Sequence, residues 1–241
     1  MRCDKCRNEA VFFQPYSGRH LCGRHLVLDI ETRAKRSIRS HRWMMRGDHL
    51  AVVVSGDKKS AALLCFLQKL TADRRDIRLS AILPQKEDAK GNSRSAAMKI
   101  AQLLRVSGIK MPEQPGSIAA ACEGVTKVAL PTSLDDIAQR VLGTFLFGDT
   151  GRLLHPTQEV RFSIPVICPF MTIPSDEIDL YWDHQGTGIS SSFGTPSEEL
   201  LPGDTVAYLK DYCGHHPSTR YALLHLAEQL SNGNADRDND R

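Results

Sequence analysis

No run of apolar residues in this chain is longer than seven, the stretch Ala61-Ala62-Leu63-Leu64-Cys65-Phe66-Leu67. A membrane-spanning helix needs roughly 20, so no spanning helix is expected. The opening Met1-Arg2-Cys3 is followed by no apolar segment of the kind a secretory leader carries, and the expected location is cytoplasmic. The cysteines number seven, an odd count, and without a secretory context they do not read as a disulfide framework. Neither GxxxxGK[ST] nor GxGxxG is present, which removes the two commonest nucleotide-loop patterns. No internal repeat is found. The 241 residues, 41% hydrophobic and 24% charged, are enough to bury a full core without covalent staples.

What is present is unevenly distributed. Residues 1–50 hold 11 Lys/Arg against 5 Asp/Glu, while the rest hold 20 against 23. A basic front end on a slightly acidic body suits a polyanionic partner. Three of the seven cysteines lie in the first 22 residues, in the order Cys3-x2-Cys6, fifteen residues, Cys22-x2-His25. Two CxxC/CxxH knuckles at this separation have zinc-ribbon spacing, each tight turn aiming two ligands at one ion. Gly18 supplies the flexible point of the hairpin between them. Four protein ligands leave no open coordination position, so the expected zinc is structural.

Beyond the ribbon (1–27), a basic helix is expected over 28–47. Leu26, Ile30, Ala34 and Ile38 recur every four residues, and Gly47 is the expected stop. Arg33, Arg36, Arg39 and Arg42 on this helix are the candidate RNA contacts, spaced to meet successive phosphates. Leu50–Val54 reads as a buried parallel strand, and Ile77–Leu83 and Val125–Leu130 as two more. Helices are expected at 61–70, 95–106 and 134–146, the last with Ser133 as N-cap. The alternation predicts an α/β fold, a doubly wound parallel sheet spanning 48–170. A helical and loop extension is expected over 171–230, then a polar, disordered tail over 231–241. Pro/Gly-rich stretches at Gly108–Gly116 and Gly186–Gly203 break the pattern, the second having the composition of a mobile loop.

The strand at 50–54 opens through Ser55-Gly56-Asp57-Lys58-Lys59-Ser60 into a helix. Such a junction presents backbone N–H groups and a positive helix end to an anion. This segment resembles the PP-loop of the ATP-pyrophosphatase superfamily, usually SGGxDS after a hydrophobic strand. With the knuckles, the Ile38-Arg39-Ser40-His41-Arg42 helix end and Val52-Val53-Val54-Ser55-Gly56, the chain resembles the tRNA 2-thiouridine synthetases of that superfamily. Val128-Ala129 and Leu134-Asp135-Asp136 are similar to the family's "VATGHNLDDEA" segment. Ile164-Pro165-Val166, Pro169-Phe170 and Glu177 are similar to its "VKPF…E" segment. The resemblance implies ATP with Mg²⁺ bound at Ser55, Gly56, Lys58 and Ser60, adenylation of a uridine C2 oxygen, and displacement of AMP by sulfur. Lys58 and Asp135 are the catalytic residues it implies. The partners implied are tRNA, a paralogous thiolase subunit or a sulfur-carrier protein, and a second copy in a homodimer.

The departures carry expectations of their own. Asp57 stands where the loop usually has glycine, and Lys59 where it has aspartate. A carboxylate about 4 Å from a phosphate costs roughly 1 kcal/mol in water and about 4 at an effective dielectric of 20, which Lys59 partly offsets. Gly108–Gly116 contains no cysteine and Gly186–Gly203 offers Ser190-Ser191-Ser192-Phe193, so the family's iron–sulfur cluster is not expected. Cys65, Cys122 and Cys168 read as packing residues, and Cys213-Gly214-His215-His216 as a loop. Three functions remain open at this point: an active ATP-dependent tRNA-modifying enzyme, a catalytically degenerate paralogue that binds tRNA or partners an active subunit, and a zinc-ribbon nucleic-acid module without nucleotide chemistry.

Overall fold

In the computed structural model, residues 1–83, 93–110, 124–148, 164–185 and 203–238 are described. The loop expected at 186–202, Cys122, residues 111–116 of the earlier Pro/Gly stretch and the last three residues lie outside them. The chain opens with a hairpin, β1 (Phe12–Gln14) and β2 (Arg19–Leu21), in antiparallel register with Phe12 opposite Leu21. Gly18 turns it at φ +66°, a left-handed conformation that glycine adopts without Cβ strain.

Helix α1 (Gly23–Ser40) follows, burying Leu26, Ile30, Ala34 and Ile38 as the four-residue spacing requires. It ends at Ser40, short of the expected stop at Gly47, and the backbone shows why. Arg42 adopts φ +52°, its N–H bonds to the Arg39 carbonyl, and the Trp43 N–H reaches back to the Ile38 carbonyl at 3.0 Å. This pair of bonds is a Schellman stop with arginine at the position glycine usually takes. The His41 ring stacks on Trp43 with centroids 4.4 Å apart.

The main sheet has the order β5-β4-β3-β6-β7, all parallel. Its strands are β3 (His49–Val53), β4 (Arg78–Leu83), β5 (Ser107–Lys110), β6 (Lys127–Ala129) and β7 (Val166–Ile167). Alternation sends Leu50 and Val52 to one face and Ala51 to the other. The first face is covered by α1, α2 (Lys58–Thr71), α3 (Ser93–Leu103) and α5 (Ser175–Asp183). The second is covered by α4 (Leu134–Phe147) and α7 (Thr219–Asp238). Helix α6 (Gly203–His215) packs on α4 through Leu209 and Cys213 against Ala138, so the Cys213–His215 stretch is helical and the cysteine is packing.

The expected α/β architecture stands, with two corrections beyond those at the end of α1 and at Cys213. Gly108 belongs to strand β5, where it touches Leu83 so closely that a Cβ would lie 2.6 Å from its Cδ1. The tail expected to be disordered from 231 is helical as far as Asp238. Once Leu224 and Ala227 anchor α7 in the core, each added residue gains a backbone hydrogen bond at little nucleation cost.

Candidate functional site

Strand β3 continues to β4 and β5 on one side, while β6 and β7 lie on the other. The loops leaving the C-terminal ends of β3 and β6 therefore diverge, and the crevice between them is the topological switch point where open α/β sheets bind ligands. Residues 54–57 form one wall and 130–133 the other.

In the first wall Gly56 takes φ +90° and Asp57 becomes the N-cap of α2. Its carboxylate accepts from the Ser60 N–H at 2.8 Å and the Ser55 hydroxyl at 2.9 Å. Asp57 is only 4% exposed. The residue that reads as a charge misplaced beside a phosphate is thus a helix cap, using one of the backbone donors that an anion would use. Ser60 is buried, its hydroxyl donating to the Asp57 carbonyl at 3.0 Å.

Both lysines of the loop have carboxylate partners. Lys58 Nζ lies 2.9 Å from each oxygen of Asp183 at the end of α5. Lys59 Nζ crosses the crevice to Asp136, at 2.9 and 2.8 Å. Asp179, on the same helix as Asp183, is pushed up by burial and pulled back by Lys58 and Lys59. Four carboxylates (Asp57, Asp136, Asp179, Asp183) thus surround two ammonium groups.

The second wall begins α4 with a capping box, Ser133 and Asp136 exchanging side-chain and backbone bonds. Asp135 faces elsewhere. It accepts from the Ser175 N–H at 2.7 Å, at the start of α5, and pairs with Arg220 Nε of α7 at 2.9 Å. Of the two aspartates, Asp136 is the one joined to the 55–60 loop, and its S-x-x-D capping pattern marks it as the residue that turns back toward the helix start. Asp135, the residue selected by the family resemblance, is bonded to α5 and α7 instead. Asp179 and Asp183 carried no local signal, because they reach the loop only through the packing of α5 on α2.

At the N-terminus the Cys3, Cys6 and Cys22 sulfurs and a His25 ring nitrogen all lie within 4.8 Å of one another. Cys6 Sγ and Cys22 Sγ are 3.7 Å apart, and His25 Nδ1 is 3.4 Å from Cys3 Sγ and 3.3 Å from Cys22 Sγ. Zn–S bonds of about 2.3 Å at tetrahedral angles put sulfurs about 3.8 Å apart, so the set fits a four-coordinate zinc. Burial alone would raise the Cys3 thiol, but backbone N–H groups of Cys22, Lys5 and Cys6 outweigh it and bring it down to about 6, favouring the thiolate that metals bind.

The candidate RNA residues separate. Arg36, Arg39 and Arg42 are exposed. Arg33 is turned inward: its Nη2 donates to Glu177 at 2.6 Å, Nη1 lies 3.3 Å from the Tyr221 hydroxyl, and a further bond joins it to Tyr16. Arg33 is therefore a half-buried ion-pair partner and does not present its charge to a phosphate backbone. The i, i+3 spacing did not reveal this, because Glu177 is 144 residues away.

The family described as "2-thiouridine synthetase TtuA, N-terminal LIM domain" matches residues 2–27, a span that contains all four metal ligands. The chain is 24% identical to tRNA 2-thiolation protein NcsA of Haloferax volcanii, over 96% of this chain and 87% of the relative. It is 27% identical to cytoplasmic tRNA 2-thiolation protein 1 of Drosophila grimshawi, over 94% of this chain and 76% of that one. The chain is thus similar to tRNA 2-thiolation proteins over most of its length. Its fold matches the U34-tRNA thiolase NcsA from Methanococcus maripaludis at a TM-score of 0.80 and 19% identity, covering 96% of this chain and 87% of that one.

That structure carries a [4Fe-4S] cluster and corrects the expectation that none belongs here. Cluster ligands converge in space, so cysteines absent from matched motif positions do not exclude one. Among the described residues, Cys65, Cys168 and Cys213 are buried in three separate apolar clusters. The group of ligating residues able to hold a metal among the described residues is the ribbon set, and Cys122 lies outside them. The described residues alone thus do not assemble a cluster site. No helix among them is long and apolar enough to cross a membrane.

Proposed function

We propose that the chain is an ATP-dependent tRNA 2-thiolation enzyme that activates a uridine in the crevice between β3 and β6. The observation that carries this reading is the position of Lys58 and Lys59, at the start of α2 and at the switch point of a sheet shared with a tRNA thiolase. ATP lies with its phosphates along the 55–60 loop, against Ser55, Gly56 and Lys58, whereas Ser60, expected to join them, is buried with its N–H and hydroxyl bonded to Asp57. The uridine C2 oxygen attacks the α-phosphorus, the bond to the β-phosphate oxygen breaks, and pyrophosphate leaves. A sulfur nucleophile then adds at C2 and AMP departs with the former C2 oxygen. Lys58 neutralises the departing pyrophosphate. Asp136 is the carboxylate facing the loop, and Asp135 holds the start of α5 in register with it.

Two positive and four negative groups line the crevice, so a bare triphosphate meets net negative charge. Binding as the Mg²⁺ complex removes that conflict, with the carboxylates released from the lysines close to the cation. Zinc held by Cys3, Cys6, Cys22 and His25 keeps the ribbon folded. The tRNA backbone meets the exposed Arg36, Arg39 and Arg42. A cytoplasmic location, as in the name of the Drosophila relative, belongs to this reading. Nothing in the relatives or the fold favours the catalytically degenerate alternative.

The test is pyrophosphate release from Mg·ATP with and without tRNA. Stimulation by tRNA, lost in Lys58→Ala, supports the proposal. Release that Lys58→Ala leaves unchanged contradicts it.

A further inference from the structure

Helix α5 touches the ribbon at both ends and the phosphate loop along its length. At its start Glu177, fully buried, accepts from the Tyr16 hydroxyl at 2.7 Å and from Gln14 Nε2 at 3.3 Å, two residues of the ribbon hairpin region. Arg33 of α1 closes the same cluster. At its other end the His184 ring lies against Gly23, the residue after the metal ligand Cys22. A Cβ on Gly23 would lie 2.1 Å from His184 Cδ2. The imidazole is exposed, and its Nδ1 lies 2.9 Å from the Leu180 carbonyl. Immediately before His184, Asp183 grips Lys58. Between the two ends, the Tyr181 hydroxyl donates to Glu31 of α1 at 3.2 Å, and just past His184 the Gln185 side chain bonds to Lys69 of α2.

The geometry points to α5 as a strut through which the metal ribbon positions the phosphate-loop lysine, with Glu177 and His184 as its positioning residues. Neither residue touches the loop directly. The path runs from the second knuckle through Gly23 to His184, and from the adjacent Asp183 to Lys58. At Gly23 the imidazole occupies the volume that a side chain would take. A buried ion pair at the far end prevents α5 from pivoting about that contact. Packed elements move as rigid bodies and do not deform continuously, so displacement of His184 carries Asp183 with it. The ribbon thus does more than fold the N-terminus: its seating sets where Lys58 stands when nucleotide arrives. This inference rests on the proposal that Lys58 meets ATP, but the strut itself is tested without nucleotide.

The experiment compares the zinc-loaded wild type with Gly23→Ala, His184→Ala and the double variant, avoiding Glu177 because an unpaired half-buried Arg33 compromises folding. Hydrogen exchange of peptides covering 54–61 and 175–185 is read beside Mg·ATP affinity. Gly23→Ala is expected to raise exchange in both peptides and to weaken Mg·ATP binding at least about fivefold, the lower end of coupling between sites. Removing the imidazole relieves the clash but also removes the contact, so the double variant is expected to match His184→Ala alone, with both readouts between those of wild type and Gly23→Ala. Exchange that rises only within residues 1–30, or a Gly23→Ala defect that His184→Ala leaves in place, overturns the strut. Partly restored exchange with no Mg·ATP binding by any form keeps the strut and overturns the nucleotide reading instead.

Discussion

Asp57 shows how a residue is misread when only its motif position is considered. In the sequence it is a carboxylate where the family loop has glycine, and Coulomb's law makes it a cost. In the structure the same carboxylate caps α2, bonded to the Ser60 N–H, and competes with phosphate for that donor. The two effects make a prediction of opposite signs. Asp57→Gly should lower stability by only a few tenths of a kcal/mol, since glycine is itself an acceptable N-cap. It should tighten Mg·ATP binding by freeing the amide. Thermal denaturation and calorimetric titration of the same variant check both, and weaker binding in Asp57→Gly would show that the cap is needed to hold the loop open. The convergence of Cys3, Cys6, Cys22 and His25 within 4.8 Å of one another was legible in the sequence because the knuckle spacing sets it. The partners of Lys58 and Lys59 were not, because Asp183 and Asp136 lie 125 and 77 residues away.

Among the elements, legibility followed local pattern. Helix α1 was read from its four-residue apolar spacing, and β3 from a continuous β-branched run. Strand β5, with the sequence Ser-Gly-Ile-Lys, and the two-residue β7 have no pattern of their own and exist because β4 and β6 offer them a parallel edge. The end of α1 was misplaced because its stop is made by arginine. A non-glycine residue in the left-handed region carries roughly 1–2 kcal/mol of strain. Arg42→Gly should therefore raise stability, by about 1 kcal/mol, while removing one exposed positive charge from the proposed RNA face. Denaturant melts should show the gain. Salt-dependent tRNA binding should show a log–log slope lower by about one phosphate contact. Stabilisation without any change in slope would remove Arg42 from the RNA face.

For the whole molecule, the doubly wound sheet and the N-terminal ribbon follow from composition, knuckles and alternation. The way they join does not. The ribbon, α1 and α5 share the buried Gln14–Tyr16–Arg33–Glu177 cluster, so the N-terminal unit is continuous with the domain core. Metal loss should therefore be felt globally. Zinc extraction by a chelator, or Cys22→Ser, is expected to release one ion per chain and to lower the melting temperature of the entire cooperative transition. An unchanged transition after complete zinc loss would make the ribbon an independent appendage.

The account depends most on the crevice between β3 and β6 holding nucleotide, and the direct measurement is calorimetric titration of the zinc-loaded protein with ATP. It should be run with and without Mg²⁺, beside Lys58→Ala. The account predicts micromolar binding of Mg·ATP, strong weakening when Mg²⁺ is omitted, and loss in Lys58→Ala. Absence of binding at every ATP concentration, or binding that Lys58→Ala leaves intact, would contradict it.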